Sequence, residues 1–502
     1  MKLARIAAVS KVLFEEGLGY LTEDAAAPDD PEVAARLSRT LIRLGPTFVK
    51  FGQMVSTRVD LFSEPVLAEL AKLQASVPPF DTAEARVIVA AELGRPVGEV
   101  FAEFPDAPVA AASIAQVYRA RLHDGTEVAV KVQRPDLEAT ITADLEALLV
   151  FSRFLDRLVP PYHRSLLHRV AEEYALRART EIDFTAEARA MDRFGDVLGS
   201  VPEFRVPAVF HRLSTPRLLV MTWIEGTRLD GVASPEALTT LGFAPDTFCR
   251  ALLTLQLSMA YEHGFVHGDT HPGNLLLQPD GHIGLIDFGL HGQVPRVIRD
   301  KMLEVLVSQV NGKTDEAVEA FVQVFQPEPG VDLEAFKREL RPVLSEADGE
   351  LRDHRITTQL VHGLKVGGRY GLRAQSDLFM VIRNLTIVEG IVLRYAPTLD
   401  AAAEVRTIVQ AILRRRLFGR QMQDDFAALV PQLALTLAQR PRLTERLLVL
   451  ERVFTDTKNL GEFLRQQDVI RDPVVARAPL AWVVAAGAMG VVVGMVIERM
   501  LG

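Results

Sequence analysis

One short segment constrains this chain more than any other: a predicted strand–turn–strand hairpin with polar side chains at both ends. The strands cover residues 275–277 and 282–286, and a Pro-Asp-Gly turn joins them. Asn274 precedes the first strand and Asp287 follows the second, so the hairpin brings an amide oxygen close to a carboxylate. Hard oxygen ligands of this kind suit Mg²⁺ held against nucleotide phosphates. The segment therefore predicts a magnesium site at the open end of the hairpin.

The loop before the hairpin carries a candidate catalytic residue. Asp269 lies five residues ahead of Asn274, which is the Asp-x-x-x-x-Asn spacing of catalytic loops in phosphoryl transfer, and Asp287 begins an Asp-Phe-Gly tripeptide. An aspartate placed there can orient or deprotonate a hydroxyl or a water nucleophile. Nearby His267 and His271 have a spacing that on a helix would suggest a metal site. In this loop we expect a structural role for His267, and not zinc binding.

A lysine on a predicted strand is the second candidate. Residues 116–133 predict two antiparallel strands around an Asp-Gly turn, with Lys131 on the face opposite a row of valines. Downstream lies an acidic helical stretch with Glu181, Asp183 and Glu187. A lysine–glutamate pair would contact the α- and β-phosphates of a nucleotide. On one continuous helix Asp183 and Glu187 would share a face, whereas Glu181 would point elsewhere.

Composition limits the partners and the compartment. The chain has 502 residues, which suggests about three structural units. It carries 56 basic and 65 acidic residues, a net charge of −9, so a nucleic-acid-binding role is disfavoured. Cys249 is the only cysteine, so the chain can form no intrachain disulfide and no cysteine-based metal site of its own. We expect the catalytic part to work in a reducing compartment.

The C-terminal region predicts a membrane anchor. Residues 478–497 are 20 residues without a charge, flanked by Arg477 and Glu498. As a helix they would span about 30 Å, the thickness of a hydrocarbon core. A buried core helix is the alternative interpretation. Gly490 and Gly494 form a GxxxG pattern on which a second helix could pack, which raises the possibility of a homodimer.

Further motifs occur in a fixed order. A KxGQ sequence covers Lys50 to Gln53, an Ala-rich loop covers residues 110–118, and an ExD sequence covers Glu181 to Asp183. Together with the catalytic and metal-binding loops they resemble the UbiB family of atypical kinases, also called AarF or ADCK-like. The resemblance covers roughly residues 30–300. It implies an α+β, bilobal protein-kinase-like fold with a helical N-terminal extension and a helical C-terminal region.

The expected organisation has five parts. They are a helical extension over 1–95, an N-lobe over 96–225, a C-lobe over 226–415, a helical region over 416–477 and one transmembrane helix over 478–497.

The resemblance also implies roles for individual residues. Lys131 and Asp269 are the expected catalytic residues, with ATP and Mg²⁺ as cofactors; Asn274 and Asp287 are the expected metal ligands. The expected ATP-binding residues are Ala110, Ala111, Ala112, Ser113, Ile114, Ala115, Gln116, Val117, Lys131, Glu187 and, in the connector between the lobes, Met221 and Trp223. The expected regulatory residues are Lys50, Gly52, Gln53, Glu181 and Asp183.

The family likeness implies a function as well. It favours a membrane-anchored, ATP- and Mg²⁺-dependent kinase or ATPase that supports ubiquinone or related polyprenyl-lipid biosynthesis. The bilayer, a quinone precursor and other quinone-biosynthesis enzymes would be its partners. The location would be a bacterial inner membrane, with the catalytic domain in the cytoplasm. In the family the KxGQ extension covers the protein-substrate site, so transfer to protein hydroxyls is disfavoured. The alternatives are a small-molecule phosphotransferase, because the catalytic loop also resembles aminoglycoside and choline kinases, and a nucleotide-gated, lipid-binding scaffold with little turnover.

Overall fold

The computed structural model describes residues 2–16, 31–56, 58, 64–73, 78–155, 166–198, 201–326, 331–345 and 356–418. The predicted helical extension is present, and Gly45 with φ 105° and Pro46 separate its second and third helices as expected. Apolar residues at helical spacing, such as Leu41, Leu44 and Phe48, are buried. Its helices are α1 (Lys2–Glu15), α2 (Pro31–Leu44), α3 (Pro46–Val55), α4 (Glu64–Ala71) and α5 (Thr82–Leu93).

An antiparallel sheet follows, in the strand order β1-β3-β4-β6, with β2 paired to β3. The predicted valine face, formed by Val128, Val130 and Val132, lies in the sheet core with Tyr118 and helix α5. Lys131 is therefore on the opposite face, as the alternation predicts. The elements are α6 (Val97–Val100), β1 (Phe101–Glu103), β2 (Ala110–Ala111), β3 (Ala115–Leu122), β4 (Glu127–Gln133), β5 (Phe204–Arg205) and β6 (Leu218–Thr222).

Three helices lie between β4 and β5 in the chain. Helix α8 packs against both α7 and α3, and α9 packs against β6. After these helices come β5 and β6, with a short 3₁₀ turn at His211–Leu213 between them. The helices are α7 (Leu137–Leu155), α8 (Leu166–Glu181) and α9 (Phe184–Leu198).

A second sheet, in the order β5-β10-β9-β7, carries the predicted hairpin. Ile283 pairs with Leu277 and Leu285 with Leu275, so the hairpin prediction is confirmed apart from one residue at each end of the second strand. A separate pair joins β8 to β11. The strands are β7 (Thr227–Arg228), β8 (Phe265–His267), β9 (Leu275–Leu277), β10 (Ile283–Leu285) and β11 (His291–Gln293).

The rest of the described chain is mainly helical. Helix α11 continues into a π-helical turn at Ser258–His263, and a short strand pair joins β12 to β13. The elements are α10 (Pro235–Thr240), α11 (Pro245–Leu257), α12 (Arg296–Val310), α13 (Thr314–Val322), β12 (Phe325–Gln326), α14 (Leu333–Ser345), α15 (Ile356–Arg369), β13 (Arg373–Ala374), α16 (Ser376–Tyr395) and α17 (Ala401–Phe418).

The predicted membrane anchor at 478–497, its GxxxG pattern and the region 419–477 lie outside the described residues. Among the helices that are described, none combines the length and the apolar character needed to cross a bilayer. The kinase-like α+β architecture is thus the part of the predicted fold that the structure supports.

Candidate active site

A cavity of about 560 Å³ lies between the first sheet and the hairpin, a size typical of small-ligand pockets. Its lining combines apolar side chains, among them the predicted connector, with the predicted charged and polar residues. The apolar lining residues include Val117, Ala129, Met221, Trp223 and Leu276. The charged and polar lining residues include Lys131, Glu187, Asp269, Asn274 and Asp287.

Lys131 and Glu187 form a buried ion pair in the wall of the cavity. The Nζ atom of Lys131 lies 2.8 and 2.9 Å from the two carboxylate oxygens of Glu187. Their side chains are only 10% and 3% exposed. Burial disfavours the Lys131 ammonium, but the carboxylates of Asp287 and Glu187 outweigh it and raise the pKa of Lys131 above its usual value. The lysine is therefore cationic at neutral pH and suited to phosphate oxygens.

Asp287 faces the same cavity from the end of the hairpin. Its φ of 64° is unusual for a non-glycine residue, and its carboxylate accepts a hydrogen bond from Gly289 N–H at 3.2 Å. Lys131 Nζ lies 3.5 Å from its Oδ1 atom. The Lys131 ammonium is the main cause that lowers the pKa of Asp287 to about 2. With 55% of its side chain exposed, Asp287 presents an ionised carboxylate to the cavity.

Asn274 and Asp287 fit the chemistry of a magnesium site. The backbone carbonyl of Asn274 accepts a hydrogen bond from Ile286 N–H at 3.0 Å, which places the two hairpin ends side by side. The side-chain amide of Asn274 donates to the carbonyl oxygen of Asp269 at 2.9 Å, so its own oxygen stays available as a ligand. A Mg²⁺ ion held by these two side chains would take its other ligands from phosphates and water.

His267 holds the catalytic loop against the metal-binding loop. It is fully buried, its Nε2–H donates to the carbonyl oxygen of Asp287 at 2.8 Å, and its Nδ1 accepts from Asp269 N–H at 3.1 Å. Burial lowers the pKa of His267, so the ring is neutral at pH 7. Both ring nitrogens are used in these contacts, which supports the expected structural role.

The Ala-rich loop lies over the cavity only in part. Six of its predicted ATP-binding residues line the cavity, whereas Ala111 and Gln116 do not. The Gln116 side chain is fully buried and bonds both backbone groups of Phe80, at 2.9 and 3.1 Å. The Gln116 side chain thus ties the sheet to the preceding segment, and its expected contact with ATP stays a prediction. The lining residues are Ala110, Ala112, Ser113, Ile114, Ala115 and Val117.

The extension contributes part of the cavity wall. Lys50 of α3 forms an ion pair with Glu181 at the end of α8, and both line the cavity together with Gln53. The Gln53 side chain donates to the carbonyl oxygen of Leu73 at 2.7 Å. Gly52 does not line the cavity. A Cβ atom there would lie 2.5 Å from Leu73, so glycine lets α3 pack closely against its neighbours.

Asp183 lies between two helices, and not within one continuous acidic helix as predicted. The chain does not continue as one helix through this region, because α8 ends at Glu181 and α9 begins at Phe184. The Asp183 carboxylate accepts hydrogen bonds from the N–H and the hydroxyl of Thr185, at 2.9 and 2.7 Å, and caps α9. The predicted shared face of Asp183 and Glu187 is therefore wrong. It is Glu181 that lines the cavity with Glu187.

Comparison with known proteins agrees with this geometry. The ABC1 atypical kinase-like domain family matches residues 72–321. The uncharacterized Synechocystis protein slr1919 is 32% identical over 391 residues, covering 78% of this chain and 68% of that protein. The chain belongs to the ABC1 family, also called UbiB or AarF.

Other relatives of this ABC1 protein are longer. The chloroplastic Arabidopsis thaliana protein ACTIVITY OF BC1 COMPLEX KINASE 7 is 30% identical over 387 residues, which cover 76% of this chain and 55% of that one. The chain thus spans about half the length of that relative. A solved structure titled "The complex structure of Rv3197-erythromycin from Mycobacterium tuberculosis" has a TM-score of 0.46 at 23% identity, covering 71% of this chain and 86% of the other. A likeness at this level carries no argument.

Sequence reasoning missed Arg383 and Asn384 on helix α16. Arg383 Nη2 lies 3.1 Å from Oδ1 of Asp269, and Asn384 Oδ1 accepts from the N–H and hydroxyl of Thr270, each at 3.3 Å. One signal for them was present in the sequence. An arginine and an asparagine interrupt an otherwise apolar stretch, and Asn384 is only 1% exposed.

Proposed function

We propose that this ABC1 protein is an ATP- and Mg²⁺-dependent atypical kinase or ATPase, whose acceptor is a small hydroxyl compound or water. One observation carries the proposal. The ion pair of Lys131 with Glu187, the ionised Asp287 and the amide of Asn274 all face one cavity that also contains Asp269. These are the parts that phosphoryl transfer requires: a cation for the phosphates, hard oxygen ligands for Mg²⁺ and an aspartate for the acceptor.

Each residue has a distinct task in this proposal. Lys131 binds phosphate oxygens. Asn274 and Asp287 would hold Mg²⁺, which would supply positive charge against the phosphates. Asp269 orients the acceptor hydroxyl and takes its proton. As the acceptor oxygen bonds to the terminal phosphorus, the bond from that phosphorus to the bridging oxygen breaks and ADP leaves.

The extension argues for a small acceptor. Lys50 and Gln53 of α3 line the same cavity as Asp269, so α3 takes up room that a folded protein substrate would need. We also propose a role in ubiquinone or related polyprenyl-lipid biosynthesis at a membrane, with residues 478–497 as the anchor. This part rests on the family resemblance and on the uncharged C-terminal segment.

Replacing Asp287 tests the chemistry. Asp287→Asn removes the ionised ligand and should lower Mg²⁺-dependent ADP release by at least about a hundredfold, the scale seen when a group that stabilises transition-state charge is lost. Asp280→Asn is the matched control, because Asp280 lies in the turn of the same hairpin and pairs with Arg205 at 2.6 Å. Turnover that survives in Asp287→Asn would contradict the proposal.

Further measurements on the purified protein separate the two alternatives. A phosphorylated metabolite formed by the purified protein would identify a small-molecule phosphotransferase. Nucleotide binding without hydrolysis, even with membranes and a quinone precursor present, would favour the scaffold.

For the pathway, lipids are measured in a deletion strain complemented with the wild type or with Asp287→Asn. Normal quinone levels in the deletion strain would contradict the lipid role and leave the ATP site unaffected.

A further inference from the structure

The carboxylate of Asp269 is oriented by a residue that lies far from it in the sequence. The backbone of Asp269 is held by His267 and Asn274. For its carboxylate, the shortest contact within the described chain is the 3.1 Å bond from Arg383 Nη2 to Oδ1. The amide of Asn274 reaches the other oxygen, Oδ2, at only 3.5 Å, the limit for a hydrogen bond. Arg383 is therefore the residue that fixes the direction of this side chain.

Helix α16 is firmly attached to the same loop. The next residue, Asn384, bonds Thr270, and the Gln256 amide donates to the Thr270 hydroxyl at 2.9 Å. Thr270, Asn384 and Gln256 are at most 2% exposed. Two consecutive residues of α16 thus contact two consecutive residues of the catalytic loop. Because the buried contacts leave the loop little freedom, the guanidinium of Arg383 meets Asp269 in one defined place.

We infer that Arg383 is a positioning residue for the proposed reaction. It holds Oδ1 of Asp269 and thereby leaves Oδ2 for the hydrogen bond to the acceptor hydroxyl or water. A guanidinium can do this because it offers several donors in a fixed plane. The inference rests on the proposed function, since it assigns Arg383 a part in the same transfer step.

A purely structural role makes a different prediction. If Arg383 served only to attach α16, its loss would lower stability and would affect ATP binding and turnover together. A positioning residue acts through Asp269 alone. Its loss should lower kcat, leave KM for ATP nearly unchanged, and have no further effect once Asp269 itself is replaced.

The experiment uses the full chain and measures Mg²⁺-dependent ADP release, KM for ATP and the thermal midpoint. Arg383→Met should lower kcat about tenfold to a hundredfold, the scale of a small misplacement of a reacting group, and change KM less than about twofold. Arg383→Lys keeps the charge but not the planar donors and should recover part of the rate. Arg383→Met in an Asp269→Asn background should add nothing. Arg406→Gln on α17, an exposed arginine, is the control and should match the wild type.

Each result has a clear consequence. An unchanged kcat in Arg383→Met overturns the inference, and so does an equal loss in the presence and absence of the Asp269 carboxylate. A loss of thermal stability and ATP affinity in parallel with kcat assigns Arg383 a structural role and also overturns it. If the wild type itself shows no Mg²⁺-dependent turnover, the proposed function fails and the inference fails with it. A result confined to the Arg383 variants leaves the proposed function intact.

Discussion

Two lysine–glutamate pairs face the same cavity, and they differ in burial. In the pair of Lys131 with Glu187 the side chains are 10% and 3% exposed. In the pair of Lys50 with Glu181 they are 25% and 24% exposed. The first joins a central strand to α9, whereas the second joins the N-terminal extension to the end of α8.

The difference in burial separates an ion pair that stays formed from one that can open. Removing one partner of a buried pair leaves a charge without water or counter-ion, which is costly. A pair that is about a quarter exposed stays in contact with water, so it exchanges its partner for water at a lower cost and is partly screened by salt. The buried pair is therefore suited to hold phosphates in every turnover, and the partly exposed pair is suited to let the extension move.

The largest expected effect concerns the buried pair. Lys131→Met leaves Glu187 buried without its counter-ion and should lower the free energy of unfolding by about 3–5 kcal/mol. ATP affinity should fall as well, because the phosphate-binding cation is lost. Denaturant unfolding followed by circular dichroism measures the first effect, and isothermal titration measures the second.

A double replacement is the control for this prediction. Lys131→Met with Glu187→Met removes both charges and should recover much of the lost stability, although ATP affinity stays low. A single replacement that costs less than about 1 kcal/mol, the scale of an exposed pair, would show that the two pairs do not differ as their burial implies.

The sequence predicts those parts of the site that local patterns determine. Alternation in β4 places Lys131 opposite the valines, and the spacing around the hairpin brings Asn274 and Asp287 together. The same alternation places Gln116 on the face of β3 that carries Tyr118, and the two side chains share a hydrogen bond.

Other parts have no local signature. Arg383 and Asp269 are 114 residues apart, and only the packing of α16 against the catalytic loop brings them together. The break between α8 and α9 can be predicted only in part from the local sequence. Asp183 is a residue type that favours helix N-caps, but whether it caps a new helix or continues the old one depends on how the two helices pack.

A smaller effect is expected from His267, the buried histidine of the catalytic loop. The pKa of His267 is lowered by burial, whereas in the unfolded chain a histidine titrates near about 6.5. Below that pH the unfolded state binds more protons than the folded state, so stability falls as the pH drops. His267 thus contributes fully above about pH 6.5 and progressively less below it.

Unfolding midpoints between pH 7.5 and 5.5 test this prediction. His267→Gln should show a shallower pH dependence than the wild type. Part of the slope should remain, because burial also lowers the pKa of His291. A slope in His267→Gln as steep as that of the wild type would mean that His267 does not resist protonation.

The smallest expected effect on stability concerns the partly exposed pair of Lys50 with Glu181. Lys50→Met should change the free energy of unfolding by at most about 1 kcal/mol, and added salt should reduce the difference from the wild type, because water and ions reach both side chains. Glu181→Gln should behave in the same way, since it removes the other half of the pair. Unfolding midpoints at low and high ionic strength measure both. If Lys50→Met were as destabilising as Lys131→Met, the extension would be a fixed wall of the cavity, and acceptors would have to enter without any movement of α3.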